Sequence, residues 1–273
     1  MRIAFCLVVL AVLLGYVSAL SLTVLDPVYK EVSVSGTLDL GTAGPGQKIV
    51  VLAQRPSGEL SRNAAKPGEA LWDRVLVEGL PNGWSAEPSK LYEEPFQAFV
   101  TVAPDALDGD YTFYVRAVDE YDGLPSLTFP GKLHVSRDVF RAAVSEPRLS
   151  VGVEQPAVYF LQLQNTGSAS DVFDVSVKGL PASWAEVRRV FVPHNSLVNL
   201  AYSVTPEEAS HYAFSFRVQS LSSPRIFGEA NAELVAETTL LNDVRAAANG
   251  VVLFPSPVQA VYSLLAFLAH AFS

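Results

Sequence analysis

Gly79-Leu80-Pro81-Asn82-Gly83-Trp84 recurs as Gly179-Leu180-Pro181-Ala182-Ser183-Trp184, an offset of 100 residues. The match extends outward in both directions. Upstream, Val75 and Val77 answer to Val175 and Val177. Downstream, Pro104 answers to Pro206, and Tyr111-Thr112-Phe113-Tyr114-Val115-Arg116 answers to Tyr212-Ala213-Phe214-Ser215-Phe216-Arg217 at an offset of 101. Leu22, Val24, Tyr29, Leu38 and Leu40 align with Leu133, Val135, Phe140, Leu149 and Val151 at an offset of 111. The middle of the chain is therefore read as an internal duplication. The fall from 111 to 100 places an insertion in the first copy, within Leu60 to Leu71.

Each copy reads as strands and turns. Phe173 to Lys178 and Tyr212 to Gln219 alternate a large apolar residue with a smaller or polar one, the period of a strand with one face in a core and the other in water. Gly44-Pro45-Gly46, Pro56-Ser57-Gly58, Asp108-Gly109-Asp110, Pro130-Gly131 and Asn165-Thr166-Gly167 punctuate the chain at short intervals. Several short strands in about a hundred residues predict an antiparallel β-sandwich in each copy. A length of 273 residues accommodates two such cores.

Asn165-x-Gly167, Asp171-x-Phe173, the Gly179-Leu180-Pro181-x-x-Trp184 turn, Val204-x-Pro206 and Tyr212-x-Phe214-x-Phe216 carry a resemblance. In this order they resemble the immunoglobulin-like repeats associated with α-galactosidases and carbohydrate-binding modules, which also occur in tandem in membrane-anchored surface proteins of archaea and bacteria. The first copy departs, with Gln54-Arg55-Pro56-Ser57-Gly58 in place of the Asn-x-Gly turn. The resemblance implies extracytoplasmic, seven-stranded sandwiches serving as accessory or spacer domains, and it carries no catalytic residues onto this chain.

The two ends differ from the middle. Arg2 precedes the apolar run Ile3 to Leu14, and Val17-Ser18-Ala19 supplies small residues for cleavage, so residues 1–19 read as a secretory signal peptide. Cys6, the chain's one cysteine, falls inside it, so the exported part is expected to hold together without disulfides. The leader removes Arg2 alone from 19 basic residues, which leaves 18 against 28 acidic ones, a net −10. That charge disfavours nucleic acid and anionic lipid headgroups as partners. No Asn stands two residues before Ser or Thr, so no standard N-glycan acceptor is present.

Residues 251–273 contain no Asp, Glu, Lys or Arg and read as a membrane-anchor helix that starts at Ser256-Pro257. From Pro257 to Ser273 that helix is about 25 Å long, against about 30 Å of hydrocarbon, so Val251 to Phe254 must extend the span. Gln259, Tyr262, Ser263, Ala266 and His270 follow one another at steps of three, one, three and four, and they share one face of the helix. Polar groups in hydrocarbon are costly unless paired, and this stripe is the expected seat of a membrane or surface protein partner.

Candidates for chemistry are sparse. Trp84 and Trp184, at a fixed distance after a turn, are expected to close one end of each core. Trp72, beside the insertion, with Tyr92 and Phe96, is the expected surface or ligand contact. Asp105, Asp108 and Asp110, with Asp119, Glu120 and Asp122 as further oxygens, are weak calcium candidates that lack the alternating spacing of a calcium loop. The four His residues stand far apart, so no transition-metal site is expected, and no cofactor. No Gly-x-Ser-x-Gly elbow or phosphate-cradling glycine loop occurs. The adjacent carboxylates Glu93-Glu94 and Glu207-Glu208 point to opposite faces of a strand, and a glycosidase needs facing acids.

The sequence reading is thus an all-β chain: signal peptide 1–19, sandwich 20–135, sandwich 136–236, linker 237–250 and hydrophobic helix 251–273. The expected function is a non-catalytic, membrane-anchored extracytoplasmic adaptor that binds the bilayer through its tail and a membrane or surface protein through tail and sandwiches. Carbohydrate binding is the alternative, carried by Trp72, Tyr92 and Phe96.

Overall fold

The computed structural model describes residues 20–238. The leader and the tail stripe of Gln259, Tyr262, Ser263, Ala266 and His270 lie outside the described residues. Among the described residues no helix is long and apolar enough to cross a membrane. The chain divides into two compact units between Ser136 and Arg137.

The first unit begins with β1 (Ser21–Asp26), β2 (Lys30–Ser33), β3 (Leu38–Ala43) and β4 (Lys48–Ala53). A short hairpin follows, β5 (Pro56–Leu60) and β6 (Glu69–Leu71). The unit ends with β7 (Arg74–Glu78), β8 (Ser85–Glu87), β9 (Phe96–Thr101), β10 (Gly109–Val118) and β11 (Leu127–Val135). One sheet has the order β2-β1-β4-β9-β8 and the other β3-β11-β10-β7, with β3 parallel to β11. Alternation dictates the layers: Val24, Ile49, Val51, Phe96 and Val100 from one sheet meet Leu38, Leu40, Phe113, Val115 and Phe129 from the other, all fully buried.

The second unit comprises β12 (Phe140–Val144), β13 (Arg148–Gly152), β14 (Ala157–Asn165), β15 (Asp171–Lys178), β16 (Arg188–Val192), β17 (Ser196–Val204), β18 (His211–Ser220) and β19 (Phe227–Glu237). Its sheets run β12-β14-β17 and β13-β19-β18-β15-β16, with β13 parallel to β19. Both units are immunoglobulin-like sandwiches by strand order, and both carry the tyrosine corner of that fold. The Tyr111 hydroxyl donates to Leu107 O at 3.0 Å, and the Tyr212 hydroxyl donates to Glu208 O at 3.4 Å.

The repeated turn closes each core in the same way. Gly79 and Gly179 take φ of 67° and 96°, a region that suits glycine. The Trp84 N–H then bonds Pro81 O at 3.2 Å, and the Trp184 N–H bonds Pro181 O at 3.1 Å. Each buried indole rests on its own tyrosine corner, Trp84 on Tyr111 at 5.2 Å and Trp184 on Tyr212 at 4.8 Å between ring centroids.

Three features depart from simple duplication. Leu133 and Val135 belong to β11, the last strand of the first unit, rather than opening the second copy. Their counterparts Leu22 and Val24 lie on β1, which takes beside β4 the place that β12 takes beside β14, so that β2 is the additional edge strand of the first unit. The insertion is the β5-β6 hairpin. The strand after the tryptophan turn also changes sheets, since β8 pairs with β9 whereas β16 pairs with β15.

Candidate functional site: the three-loop end of the first sandwich

The connections β4–β7, β8–β9 and β10–β11 meet at one end of the first unit, and two buried carboxylates pin them together. Asp122, on the β10–β11 loop, accepts the Ser61 hydroxyl and the Leu71 N–H, each at 3.0 Å, and Lys66 stands 3.5 Å away. These bonds, the Leu71 N–H first, hold its carboxyl below the ordinary carboxylate range. Asp73 accepts the Glu120 N–H at 2.8 Å and pairs with Arg55 at 3.4 Å. Main-chain bonds from Tyr92 N to Asp73 O and from Arg62 N to Asp122 O, at 2.9 and 2.8 Å, complete the lacing. Asp119 caps its own turn, accepting the N–H groups of Tyr121, Asp122 and Leu124. Each acid that leaves water gains donors in exchange.

On this scaffold stand two exposed tyrosines. Tyr92 is 46% exposed and Tyr121 59% exposed, with ring centroids 6.3 Å apart. The Arg55 guanidinium lies 5.6 Å from the Tyr92 ring centroid. The hydrogen bond with the Tyr121 hydroxyl is the largest of the effects that push the Tyr92 phenol up to about 12. Leu91 and Leu60 add exposed apolar surface on the same loops. Two phenols, an arginine and aliphatic surface on fixed loops make a surface suited to a protein or another flat partner.

The sequence candidates fare unevenly. Tyr92 is at this surface. Trp72 and Phe96 are fully buried: the Trp72 Nε1–H donates to Ser21 O at 2.8 Å, and Phe96 opens β9 facing the core. Trp72 follows directly on β6, where main-chain and guanidinium bonds with Arg55, at 2.8 and 3.0 Å, hold it at the foot of a hairpin that lies against β1. Asp105, Asp108 and Asp110 do not converge with Asp119, Glu120 or Asp122, and among the described residues no group of three or more His, Cys, Asp or Glu is placed to hold a metal. Asp110 instead meets His134 Nδ1 at 2.7 Å. Arg55, Asp73 and Tyr121 went unrecognised in the sequence. The signal for Tyr121 was an aromatic residue at the tip of the acidic turn Asp119-Glu120-Tyr121-Asp122-Gly123, just after a long alternating strand.

A hollow of about 730 Å³ lies on the outer face of β18 and β19, bordered by Lys178, Gly179, Ala213, Asn231 and Glu233. Its one carboxylate, Glu233, faces Arg148 and His211 at 3.8 and 3.5 Å, so it lacks a second acid for a hydrolytic pair.

No protein-family model matches the chain. No curated protein matches it either. Among solved structures, a chimeric titin Z1Z2 carrying a decorin peptide is 14% identical, over 80% of this chain and 98% of its own, with a TM-score of 0.34. The CARDB domain of the PF1109 protein from Pyrococcus furiosus, solved with di-metal ions, is 17% identical over 35% of this chain and 87% of its own, with a TM-score of 0.27. A PapD-like domain of human CEP192 is 13% identical over 35% of this chain and 83% of its own, with a TM-score of 0.24. The assignment of the fold rests on the strand pairing above.

Proposed function

We propose that this chain is a non-catalytic, extracytoplasmic adaptor held to the membrane by residues 251–273, with the three-loop end of its first sandwich as a protein-binding surface. The observation that carries the reading is the exposed pair Tyr92 and Tyr121 beside Arg55, on loops fixed by buried Asp73 and Asp122. Tyrosine and arginine contribute disproportionately at protein interfaces, and pre-ordered loops lose little entropy on binding. The leader, the acidic exported part and the polar stripe from Gln259 to His270 support an envelope location and a second contact within the membrane. Kinship with the α-galactosidase-associated repeats belongs to the same proposal, as accessory domains without chemistry of their own. The carbohydrate alternative loses Trp72 and Phe96 to the core.

The test is co-purification of the full chain in mild detergent as wild type, as Tyr92→Ser with Tyr121→Ser, and with Gln259, Tyr262, Ser263 and His270 changed to Leu. The adaptor reading expects a partner recovered with wild type and lost with one variant. Identical recovery from all three contradicts it, and a specific glycan-array response abolished by the tyrosine changes would replace it with the carbohydrate reading.

A further inference from the structure

In the first unit the outer edge of β9 is covered: Ser85, Ala86 and Glu87 of β8 pair with Thr101, Val100 and Phe99. In the second unit the corresponding segment leaves that position. After Trp184 it stays beside the last residues of β17, where the Thr205 N–H bonds Trp184 O at 3.0 Å, the Tyr202 hydroxyl donates to Glu186 O and Arg188 Nη1 donates to Ala201 O at 3.1 Å, and it then crosses to β15 as β16. The edge of β17 from Leu197 to Ala201 has no strand beside it among the described residues.

That edge also lacks the usual protection. Native edge strands are shortened, charged or broken by proline, because their free N–H and C=O groups invite another strand. The other edges of the two sandwiches carry charge: Lys30 and Glu31 on β2, Glu87 on β8, Asp39 on β3, Arg74 and Glu78 on β7. In the second unit Arg141 lies on β12, Arg148 on β13, and Arg188 with Arg189 on β16. β17, Ser196-Leu197-Val198-Asn199-Leu200-Ala201-Tyr202-Ser203-Val204, is nine residues long with neither charge nor proline. Val198 and Leu200 face the core yet are only partly buried. On the outer face Leu197 and Phe160 are each 55% exposed.

We infer that β17 is a self-pairing edge, and that two copies of this chain join their second sandwiches by antiparallel β17–β17 addition about a two-fold axis at Asn199. The register follows from which groups are free. Ala201 O, bonded by Arg188 Nη1 at 3.1 Å, and Thr205 N both point away from β14, so the odd-numbered residues present their main-chain groups to the open edge. Centring on Asn199 sets Asn199 against Asn199 and Leu197 against Ala201 on the outer face. It sets Val198 against Leu200, twice by symmetry, on the inner face, where both are left half-covered. An uncharged strand meets its copy without like-charge repulsion, whereas in a chain of net charge −9 the charged edges offer no comparable match. Arg188 must give up its bond to Ala201 O and its place over the Tyr202 ring, 5.9 Å from the centroid, and its exposed side chain has water to swing into.

The test uses the full chain in mild detergent with Cys6→Ser. Opposed hydrogen-bonded residues stand about 5.5 Å apart at Cα, within disulfide range, so Asn199→Cys should cross-link to a covalent dimer under mild oxidant. Leu197→Cys, whose two copies would lie about 14 Å apart in this register, should not. Adding Leu197→Lys with Ala201→Lys to Asn199→Cys should reduce the cross-link at least tenfold, while unchanged protection of the β14–β17 amides shows that the sandwich stays folded. Monomeric Asn199→Cys, or equal cross-linking at positions 197 and 199, overturns the inference.

Discussion

Replacing Asp122 by Ala tests whether a buried carboxylate builds the loop surface. Asp122 is 1% exposed and accepts two hydrogen bonds, from Ser61 and Leu71. Hydrogen bonds to a charged group contribute about 1.5–3 kcal/mol each, and the substitution also leaves the Leu71 N–H short of an acceptor, so the expected loss is about 3–5 kcal/mol. Lys66 adds little, because its side chain is largely in water. For a unit of this size the loss corresponds to a fall of about 10–20 °C in melting temperature. The folded carboxylate ionises more readily than the unfolded one. The part of its contribution that comes from its charge is therefore complete above the unfolded Asp value of about 3.9 and fades as pH drops through the lower folded value, where the gap between wild type and variant should narrow. Urea denaturation at pH 7 and at strongly acid pH measures the difference, and hydrogen exchange at Leu71 locates it. A variant within about 0.5 kcal/mol of wild type at pH 7, with Leu71 exchange unchanged, would refute the pinning argument.

Trp84→Ala and Trp184→Ala should each destabilise their own sandwich by about 3–5 kcal/mol in chemical denaturation, since each empties an indole-sized space above a tyrosine corner. Gly179→Ala should cost about 1–3 kcal/mol, because φ is 96° there and a Cβ would stand 3.3 Å from Ala213 O. Alkaline titration followed by tyrosinate absorbance should show Tyr92 ionising near 12, and Tyr121→Phe should bring it back toward the ordinary value of about 10.

Much of the fold could be read in the chain because local signals agreed with tertiary demands. The Gly-Leu-Pro-x-x-Trp turn needs a positive φ, a helical half-turn and a large aromatic residue in one order, and both copies meet that need. Alternation in Phe173 to Lys178 and Tyr212 to Gln219 reports burial directly, as Phe214, Phe216 and Val218 show. Pairing partners were less legible. β8 and β16 follow the same turn, yet one joins β9 and the other β15, because the choice depends on neighbours distant in sequence, such as Asp174 for Arg189 at 2.9 Å. The loop site was hidden for the same reason. Nothing local marks Asp73 and Asp122 as buried pins, and Trp72, which local context sets at the edge of an insertion, is buried by a hairpin whose path only the folded chain reveals. Tyr92 was legible as an aromatic residue in a loop, but its partners Tyr121 and Arg55 come from two other loops.

The most direct test of the adaptor reading is photo-cross-linking in the native host, with benzoylphenylalanine in place of Tyr92 in the full chain and in place of Tyr29, also exposed, as a control. The account predicts a discrete protein adduct at position 92 that is absent at position 29. No adduct at 92, or the same adducts at both positions, would contradict it.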